Sequence, residues 1–421
     1  MIRVENLIKV FGPDPKSILP MLEAGKTKDD IRAETGHTVG VNQVSFDVEP
    51  GEFFVIMGLS GSGKSTLLRC INRLIEPTGG KVFVDTEGGE IDVTAANETK
   101  LRKIRRENVS MVFQRFGLLP HRTVRKNVAY GLEVQGVEQK KQHDLSQEAL
   151  EMVGLGQWGD SYPDELSGGM QQRVGLARAL ATEAPVLLMD EPFSALDPLI
   201  KVNMQNELIK LEKQLGRTVL FITHDLDEAL KLGHRIAIME GGRVVQLGTP
   251  EEIIVNPKTE YVTDFVEHAD PTGVITSGTV AVPLSSPKMS QVKQEGGVKY
   301  YAHEGRPDVL FGVSGDGKFE QVIFQGNKVT AKSLREVLDA PPPALRQDDL
   351  VLVCPLKFTL KQLLRGRTYS SLPSVVADED GTFKGVVTER ELIRGILEKR
   401  GYEQGQAESQ SEQTKQAEQV G

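Results

Sequence analysis

The chain has 421 residues, of which 39% are hydrophobic and 26% charged, as in an ordinary globular protein. At roughly 100–200 residues per domain, this length predicts about two to three domains. With 50 basic and 59 acidic side chains, the net charge of −9 argues against broad, nonspecific nucleic-acid binding. The apolar runs fall short of the ~18–20 residues of a membrane helix, and the N-terminus lacks a basic-then-apolar signal pattern. The two cysteines provide no disulfide framework, so the composition favours a cytosolic protein over secreted, membrane-spanning, fibrous or disulfide-stapled ones.

The first fifty residues predict two strands separated by a polar segment. The strands are Ile2–Val10 and Val41–Val48, and prolines break regular structure between them. Thr27 and Asp30 have capping-box spacing, which predicts a short helix within the polar segment. We therefore expect an insertion over residues 13–40.

Residues 52–270 alternate between apolar strand patterns and helical patterns, which predicts an α/β core. Glycines at 241 and 242 predict a turn between two further strands, which form a hairpin or edge strands. The predicted strands are Phe53–Met57, Val109–Phe113, Val186–Asp190, Val219–Thr223, Ile236–Met239 and Val244–Leu247. The predicted helices are Ser65–Ile75 and Leu208–Leu215, and the polar stretch Glu133–Val153 has helical spacing that predicts an appended helical layer.

The character of the sequence changes near Asp270, and residues 273–400 form a second region with Pro341–Pro343 as an internal linker. Residues 401–421 are mostly Gln, Glu and Ser, so burial cannot offset their ordering entropy and we expect a disordered polar tail. The predicted strands of the second region are Val309–Val313, Gln321–Phe324, Leu350–Cys354 and Ser374–Ala377.

The segment Gly58–Ser65 matches the phosphate-loop pattern G-x-x-x-x-G-K-[ST], and it follows an apolar strand and opens a helix. Its glycines let backbone N–H groups turn toward phosphate oxygens, and the helix start adds its positive dipole end. Lys64 can reach the β- and γ-phosphates, and the Ser65 hydroxyl suits Mg²⁺. The predicted phosphate-binding residues are Gly58, Ser60, Gly61, Ser62, Gly63, Lys64, Ser65 and Thr66.

Phosphoryl transfer also needs an acidic group on the metal and a group that orients water. The apolar run Val186–Met189 delivers Asp190 to the Mg²⁺ shell, and Glu191 follows where a carboxylate can polarise the attacking water. An acidic turn after a core strand is the alternative interpretation. The phosphate loop upstream favours ATP hydrolysis.

The stretch Leu166–Arg173 (LSGGMQQR) resembles the signature motif of ABC-type ATPases, and it precedes the Asp190-Glu191 strand as in that family. Its exposed N–H groups and serine hydroxyl at a helix start form a second anion-binding end. The chain thus has two phosphate-binding elements, the phosphate loop and the start of the signature helix. Their presence in one chain suggests that each element completes a site on a partner chain. The resemblance implies a head-to-tail dimer of this chain around two ATP molecules. The signature residues expected to bind ATP are Ser167, Gly168, Gly169 and Gln171.

The same resemblance implies further roles, which follow from the order of residues along the chain. Gln114 resembles the glutamine that touches Mg²⁺ and water, and His224 resembles the switch histidine at the γ-phosphate. Asp197 lies in the place of the dimer-contact loop, and Phe11 in the place of the aromatic side chain that stacks on adenine. The implied catalytic residues are Glu191, His224 and Gln114, and the implied metal ligands are Ser65, Gln114 and Asp190.

Longer stretches are similar to the ATP-binding subunits of bacterial glycine betaine/proline importers, although Pro192 stands where several members carry Ala. The resemblance implies an α/β ABC-type ATP-binding domain over residues 1–268, with a helical subdomain at 115–180. It also implies separate transmembrane permease subunits, an indirect role for a substrate-binding protein, and a peripheral location on the cytoplasmic face of the membrane. The similar stretches are Gly12–Gly40, Met57–Pro77, Gln114–Asn127, Ser161–Leu180 and Phe193–Ile200.

The segment Ser374–Leu397 resembles the end of a cystathionine-β-synthase (CBS) module, and Val309–Phe324 is a weaker echo that would fit a tandem pair. The resemblance implies a smaller α+β regulatory domain that binds a nucleotide, with Glu391 in place of the aspartate that holds ribose. A structural or dimerising appendage without a ligand is the alternative. A cyclic dinucleotide or ionic strength could equally be what the domain senses.

Two rival functions follow from the same motifs. A non-transport ABC ATPase acting on DNA or ribosomes is disfavoured, because the chain has one phosphate loop, one signature and no sustained heptads between them. An importer for another solute, such as an amino acid, a polyamine or an anion, stays open because other subunits choose the cargo. We interpret the basic run Lys100–Arg106 as a solvated helix face, and no nucleic-acid partner is expected.

Overall fold

A computed structural model describes residues 1–86, 88–114, 117–340 and 347–398. The predicted linker at Pro341–Pro343 and the predicted tail at 401–421 lie outside these residues. Contacts divide the chain into a first unit, Met1–Pro250, and a second unit that begins at Glu251. The boundary predicted from the sequence was 268, so the contact division falls earlier, at the start of a helix that begins at Pro250.

The described part of the first unit forms two sheets. Its strands are β1 (Ile2–Phe11), β2 (Thr38–Val48), β3 (Phe53–Met57), β4 (Gly79–Thr86), β5 (Gly89–Asp92), β6 (Val109–Val112), β7 (Val186–Asp190), β8 (Thr218–Thr223), β9 (Arg235–Glu240) and β10 (Arg243–Gly248). One sheet is antiparallel with the order β2-β1-β4-β5. The other has the order β10-β9-β3-β8-β7-β6 and is parallel except for β10.

The helices of the first unit are α1 (Leu19–Glu23), α2 (Lys28–Thr35), α3 (Lys64–Ile71), α4 (Glu98–Glu107), α5 (Val124–Val128), α6 (Tyr130–Gln135), α7 (Gln139–Met152), α8 (Gly168–Leu180), α9 (Pro198–Leu215) and α10 (Leu226–Leu232). The predicted capping box is confirmed, because Thr27 and Asp30 cap α2 reciprocally. The helical layer predicted over 133–153 is present, and it consists of α6 and α7. Gly136 ends α6 in the left-handed conformation, at φ 78°, and α7 starts after it.

The interior strands explain the apolar runs of the sequence. Every residue of β3, β7 and β8 is buried, as expected for parallel strands covered on both faces. The core joins the two sheets, since the rings of Phe46 and Phe54 stack with centroids 4.9 Å apart. The strands β3, β6, β7 and β8 all end at the same edge, where α/β sheets bind ligands.

The helices α5 to α8 form a separate layer and lie within the range predicted for the helical subdomain. Asn127 is fully buried and organises the loop that leads into this layer. Its amide nitrogen donates to the carbonyls of Leu119, Arg122 and Thr123, and its oxygen accepts the N–H of Leu119. The buried amide thereby satisfies backbone groups that would otherwise lack partners.

The second unit is a mixed α+β structure. Its helices are α11 (Pro250–Val255), α12 (Glu260–Val266), α13 (Ser277–Val280), α14 (Leu334–Asp339), α15 (Leu360–Gly366) and α16 (Glu389–Leu397). Its strands are β11 (Met289–Glu295), β12 (Val298–His303), β13 (Arg306–Val313), β14 (Phe319–Phe324), β15 (Asn327–Ser333), β16 (Leu350–Cys354), β17 (Ser374–Ala377) and β18 (Phe383–Val387). These strands form one sheet in chain order, in which β15, β16 and β17 pair in parallel.

Two hairpins of the second unit face each other. The β17–β18 hairpin is followed by α16, as its strand-turn-strand-helix pattern predicts, whereas the β13–β14 hairpin is followed by another strand. The turns exchange reciprocal hydrogen bonds: Phe319 N–H donates to the Gly381 carbonyl at 3.0 Å, and Phe383 N–H donates to the Gly317 carbonyl at 2.9 Å. The segment Val309–Phe324 therefore shares the hairpin with the C-terminal CBS-like motif, but it lacks the helix that directly follows the hairpin in that motif.

The reactivity of the two cysteine thiols tests the packing of the residues around them. Cys70 and Cys354 are buried, and burial raises the pKa of each to about 12. Because the thiolate is the reactive form, we expect iodoacetamide to leave both unmodified in the folded chain and to alkylate both after unfolding in urea. Peptide mass spectrometry measures this. Rapid alkylation of either thiol in the native protein would contradict the packing around it.

Candidate nucleotide-binding site

A cavity of about 590 Å³ opens at the carboxyl ends of the parallel strands. The strand order brings together groups that are far apart in sequence, with the phosphate loop after β3, Gln114 after β6, Glu191 after β7 and His224 after β8. Its lining consists of Leu59, Ser60, Gly61, Gly63, Lys64, Ser65, Thr66, Gln114, Glu191 and His224. Most of the predicted phosphate-binding residues and all three predicted catalytic residues therefore share one cavity.

The phosphate loop needs glycine where its backbone is crowded. Gly63 has φ 100°, and a Cβ there would lie 2.1 Å from the Gly40 carbonyl oxygen. Gly58 has φ 150°, and a Cβ there would lie 2.2 Å from the Met239 carbonyl oxygen. Ser62 is buried beneath the loop, and its N–H donates to the Leu59 carbonyl at 3.2 Å. The tight turn holds the remaining loop N–H groups toward the cavity.

The ammonium group of Lys64 lies almost completely buried under the loop. It donates to the carbonyl oxygens of Gly58 at 2.8 Å and Leu59 at 3.0 Å. Burial lowers the pKa of Lys64, and the nearby carboxylates of Glu191 and Asp190 oppose that shift. A buried cation of this kind fits the charge of a polyphosphate chain.

The side chain of Asp190 is fully buried and has two partners. Its Oδ1 accepts from the Ser65 hydroxyl at 2.7 Å, and its Oδ2 accepts from Arg69 Nη2 at 3.1 Å. The hydroxyl, this carboxylate and the Gln114 amide form an all-oxygen donor set, which fits Mg²⁺. The described residues contain no cluster of three or more His, Cys, Asp or Glu side chains suited to a metal.

The carboxylate of Glu191 has two neighbours in the cavity. Its Oε2 lies 3.4 Å from Gln114 Nε2 and 3.3 Å from His224 Nδ1. Glu191 itself has φ 49°, in the left-handed region that is costly for residues other than glycine. Its N–H donates to the Ile222 carbonyl at 3.2 Å, so pairing with the β8 backbone supports the strained residue.

Gln172, which the sequence did not single out, connects the signature helix α8 to this turn. Its side chain is almost fully buried, and its Nε2 donates to the Glu191 carbonyl at 3.3 Å and to the Ser194 hydroxyl at 3.4 Å. Its Oε1 accepts the N–H of Ala195 at 3.0 Å. A glutamine in a run of polar residues has no periodic signal, so only the fold shows that it is buried.

The predicted signature and dimer-contact residues lie outside the cavity lining that the described residues form. Ser167 caps α8 by accepting the N–H of Met170, and Gly168 begins that helix. The Gln171 amide is turned toward backbone carbonyls, at 2.8 Å from that of Pro163 and 3.2 Å from that of Leu166. The predicted site residues outside this cavity lining are Gly58, Ser62, Asp190, Ser167, Gly168, Gly169, Gln171, Asp197 and Phe11.

Phe11 ends β1 and is 41% exposed. A Cβ on Gly40 would lie 2.9 Å from Phe11 Cε2 and 3.2 Å from Thr66 Cγ2. The ring therefore lies beside the first turn of α3, next to the phosphate loop. The Lys9 ammonium lies 5.0 Å from the ring centroid, so one side of the aromatic ring already has a cation near it.

Comparison with known proteins identifies both units. The sequence model of the ABC transporter family matches residues 41–194, and that of the CBS domain matches residues 335–398. The hairpin at 309–324 lies outside the CBS match. Within the described residues, no helix combines the length and the hydropathy that crossing a membrane requires.

Three relatives have related printed functions, and two of them match nearly the full length of this chain. The glycine betaine transport ATP-binding protein OpuAA of Bacillus subtilis is 43% identical over 98% of this chain and 96% of the relative. The glycine betaine/proline betaine transport system ATP-binding protein ProV of Escherichia coli is 41% identical over 94% of this chain and 97% of the relative. The trimethylamine N-oxide transport system ATP-binding protein TmoW of Ruegeria pomeroyi is 51% identical over 67% of this chain and 81% of the relative.

Solved structures agree with this result. The dimeric structure of MJ0796, a bacterial ABC transporter cassette, superposes with a TM-score of 0.52 at 32% identity and covers 59% of this chain and 99% of that chain. A second structure of the cassette is a dimeric post-hydrolysis state bound to ADP and Pi. Given the near full-length similarity to its relatives, this chain belongs to the ABC transporter ATP-binding proteins, in the group of the glycine betaine transport ATP-binding proteins.

Proposed function

We propose that this chain hydrolyses ATP to power the import of glycine betaine and related osmoprotectants through separate transmembrane permease subunits, on the cytoplasmic face of the membrane. The observation that carries the hydrolysis is the Glu191 carboxylate, which lies between Gln114 and His224 at the phosphate loop. The cargo is supported by the relatives, whose printed functions are transport of glycine betaine, proline betaine and trimethylamine N-oxide.

The triphosphate binds to the loop N–H groups and to the Lys64 ammonium, and the N-terminus of α3 adds its dipole. Ser65, Asp190 and Gln114 would hold Mg²⁺, which when bound neutralises charge on the phosphates. Arg69 keeps the Asp190 carboxylate in place through its bond to Oδ2. The adenine stacks on the exposed ring of Phe11, which lies beside the loop.

Glu191 accepts a proton from the water that attacks the γ-phosphate. Gln114 and His224 both approach its Oε2, so the carboxylate has a fixed orientation toward the cavity. A base of this kind contributes about 10²–10⁴-fold to a rate when its geometry is correct. The strained backbone of Glu191 keeps the side chain at the mouth of the loop rather than in the core.

Two copies of the chain form the working unit in this proposal. Ser167, Gly168 and Gly169 present a helix N-terminus outside the cavity lining of their own chain, so they are available to the phosphates bound by a partner copy. Asp197, in the exposed loop before α9, contacts the partner. The dimeric structure of the similar cassette MJ0796 supports this arrangement.

Glu191→Gln tests the base. We expect this variant to bind ATP and to stay dimeric with ATP, while its turnover falls by about 100-fold or more, because the amide cannot accept the water proton. Phosphate release measures turnover, and light scattering with ATP measures the dimer. Glu207→Gln, on the outer surface of α9, is the matched control and should behave as wild type. Normal turnover in Glu191→Gln would exclude Glu191 as the base.

A second cavity of the first unit, of about 530 Å³, is mainly apolar and lies between the sheet and the helical layer. Met111 and Phe113 line it from the β6 side, directly before Gln114. Tyr130 and Val134 line it from α6 and are 41% and 50% exposed. We propose that a permease helix docks in this cavity. Docking would then affect the position of Gln114, which follows Phe113, and through Gln114 that of Glu191.

Val134→Asp tests both the docking and the cargo. In vesicles with the permease and a glycine betaine-loaded binding protein, we expect betaine to stimulate wild-type ATPase activity several-fold, and Val134→Asp to lose that stimulation while keeping basal activity. A charge in an apolar interface opposes docking. The control is Val292→Asp on β11, whose side chain is similarly exposed. Stimulation only by an amino acid, a polyamine or an anion would change the cargo, and no stimulation by any solute would contradict the transport function.

For the second unit we propose a regulatory nucleotide. A cavity of about 420 Å³ is lined by Arg306, Arg367 and Arg390, which can pair with phosphates. Glu391, at the position expected to hold ribose, is buried and accepts hydrogen bonds from Thr388 and, at 3.2 Å, from Lys288. Phosphate contacts rather than the Glu391 carboxylate therefore provide the binding energy. The reciprocal bonds between the two hairpin turns support a tandem arrangement.

Binding to this second site can be measured in the Lys64→Ala background, which removes the phosphate-loop site. We expect saturable binding of ATP, AMP or a cyclic dinucleotide by calorimetry, and loss of it when Arg390→Ala is added, because the arginine charge is gone. Arg394→Ala, on the same helix in an exposed pair with Glu398, is the control. Absence of binding for all three probes would make this unit a structural or dimerising appendage.

A further inference from the structure

The helix that follows the predicted dimer-contact loop is bonded to the segment that carries the switch histidine. Asp197 is the N-cap of α9, and its carbonyl accepts the N–H of Lys201 at 2.9 Å. The Lys201 side chain extends away from this turn, and its Nζ lies 2.6 Å from Asp225 Oδ2 and 2.9 Å from Glu228 Oε1. A lysine in the first turn of α9 is therefore paired with the residue directly after His224.

The two carboxylates that hold Lys201 also hold the backbone around His224. The Thr223 hydroxyl donates to Glu228 Oε2, and the Asp225 N–H donates to the Thr223 hydroxyl at 3.0 Å. Asp225 Oδ1 in turn accepts the N–H of Glu228 at 3.2 Å and caps α10. The residues on both sides of the histidine are thus fixed by one small hydrogen-bonded network.

This network depends on a positive charge. Glu228 is only 4% exposed, and it shares Lys201 with Asp225, so two carboxylates lie against one ammonium group. Burial alone would lower the pKa of Lys201, but its bonds to Asp225 and Glu228 raise it overall. The uncharged amide of Gln205 also donates to Glu228, at 3.3 Å. Loss of the Lys201 ammonium would leave a buried carboxylate short of a cation, which is costly.

The side chain of His224 has fewer contacts than the backbone on either side of it. The imidazole is 61% exposed, and its Nδ1 lies 3.3 Å from Glu191 Oε2. Its position relative to Glu191 is therefore set mainly by the backbone of the segment 223–225. Any displacement of that segment changes the distance between the histidine and the carboxylate.

We infer that Lys201 is a positioning residue for ATP hydrolysis: it makes the position of the His224 imidazole depend on the dimer-contact loop of the same chain. The inference rests on the proposed function, which assigns the roles of His224 and of the loop 194–197. When a partner copy presses on Asp197, the first turn of α9 shifts, and Lys201 transmits that shift to Asp225. Closure of the dimer thereby brings the switch histidine into position.

Lys201→Ala in the full chain is the test. We expect kcat to fall about tenfold, within the loss of up to about 100-fold that a misplacement near 1 Å can cause, with KM for ATP changed by less than about twofold. The KM is preserved because Lys201 does not line the phosphate-loop cavity. Lys201→Arg should recover most of the rate, since it retains the charge. Lys210→Ala, on the same helix in an exposed pair with Glu207, should match wild type.

A double-mutant cycle separates positioning from a general structural role. If Lys201 acts through His224, adding Lys201→Ala to His224→Ala should cost little further rate in single-turnover measurements, and cooperativity in ATP should fall in Lys201→Ala alone. Full additivity of the two losses, or a wild-type rate in Lys201→Ala, would overturn the inference. Lys201→Met keeps the side-chain stem and replaces Lys201→Ala if that variant does not fold. A wild-type chain without ATPase activity would instead refute the proposed function.

Discussion

The site depends on the register of four parallel strands, β3, β6, β7 and β8. Met57 pairs with Thr223 across β3 and β8, Asp190 pairs with Ile222 across β7 and β8, and Val112 pairs with Met189 across β6 and β7. These pairings align the carboxyl ends of the four strands. The phosphate loop, Gln114, Glu191 and His224, which follow these ends, therefore lie at the same edge of the sheet. A strand shifted by one residue would turn its side chains to the opposite face and remove its contribution from the cavity.

Both signs of charge meet at this edge. Lys64 and Arg69 are the cations, and Asp190 and Glu191 the carboxylates, within a few ångströms of the loop. The Lys64 ammonium donates to the carbonyl oxygens of Gly58 and Leu59, and burial lowers its pKa, so the negative charge of a polyphosphate would stabilise this cation. Farther away, the ammonium of Lys201 lies against the carboxylates of both Asp225 and Glu228.

Several parts of the site follow from local sequence alone. Gly58, Gly63 and Lys64 belong to one contiguous pattern, and both glycines have a positive φ that favours glycine. The capping box of α2 is equally local, and the structure confirms it. The helical spacing over 133–153 predicts a helical layer but does not show where that layer divides, because the pattern of polar residues continues across Gly136, which ends α6. Element boundaries therefore needed backbone conformation, which hydrophobic periodicity does not specify.

By itself the sequence determined the class of this protein and its main chemical groups, since a phosphate loop, an acidic strand end and a signature motif are contiguous patterns that local geometry requires. Only the tertiary structure decided which other side chains form hydrogen bonds with these groups and with the segments that carry them. Gln172 reaches the Glu191 turn, Arg69 reaches Asp190, and Lys201 reaches Asp225, each across a gap in sequence that no local pattern spans. The physical reason is burial: a polar side chain removed from water must find a partner, and only the packing of helices on strands determines which partner is near.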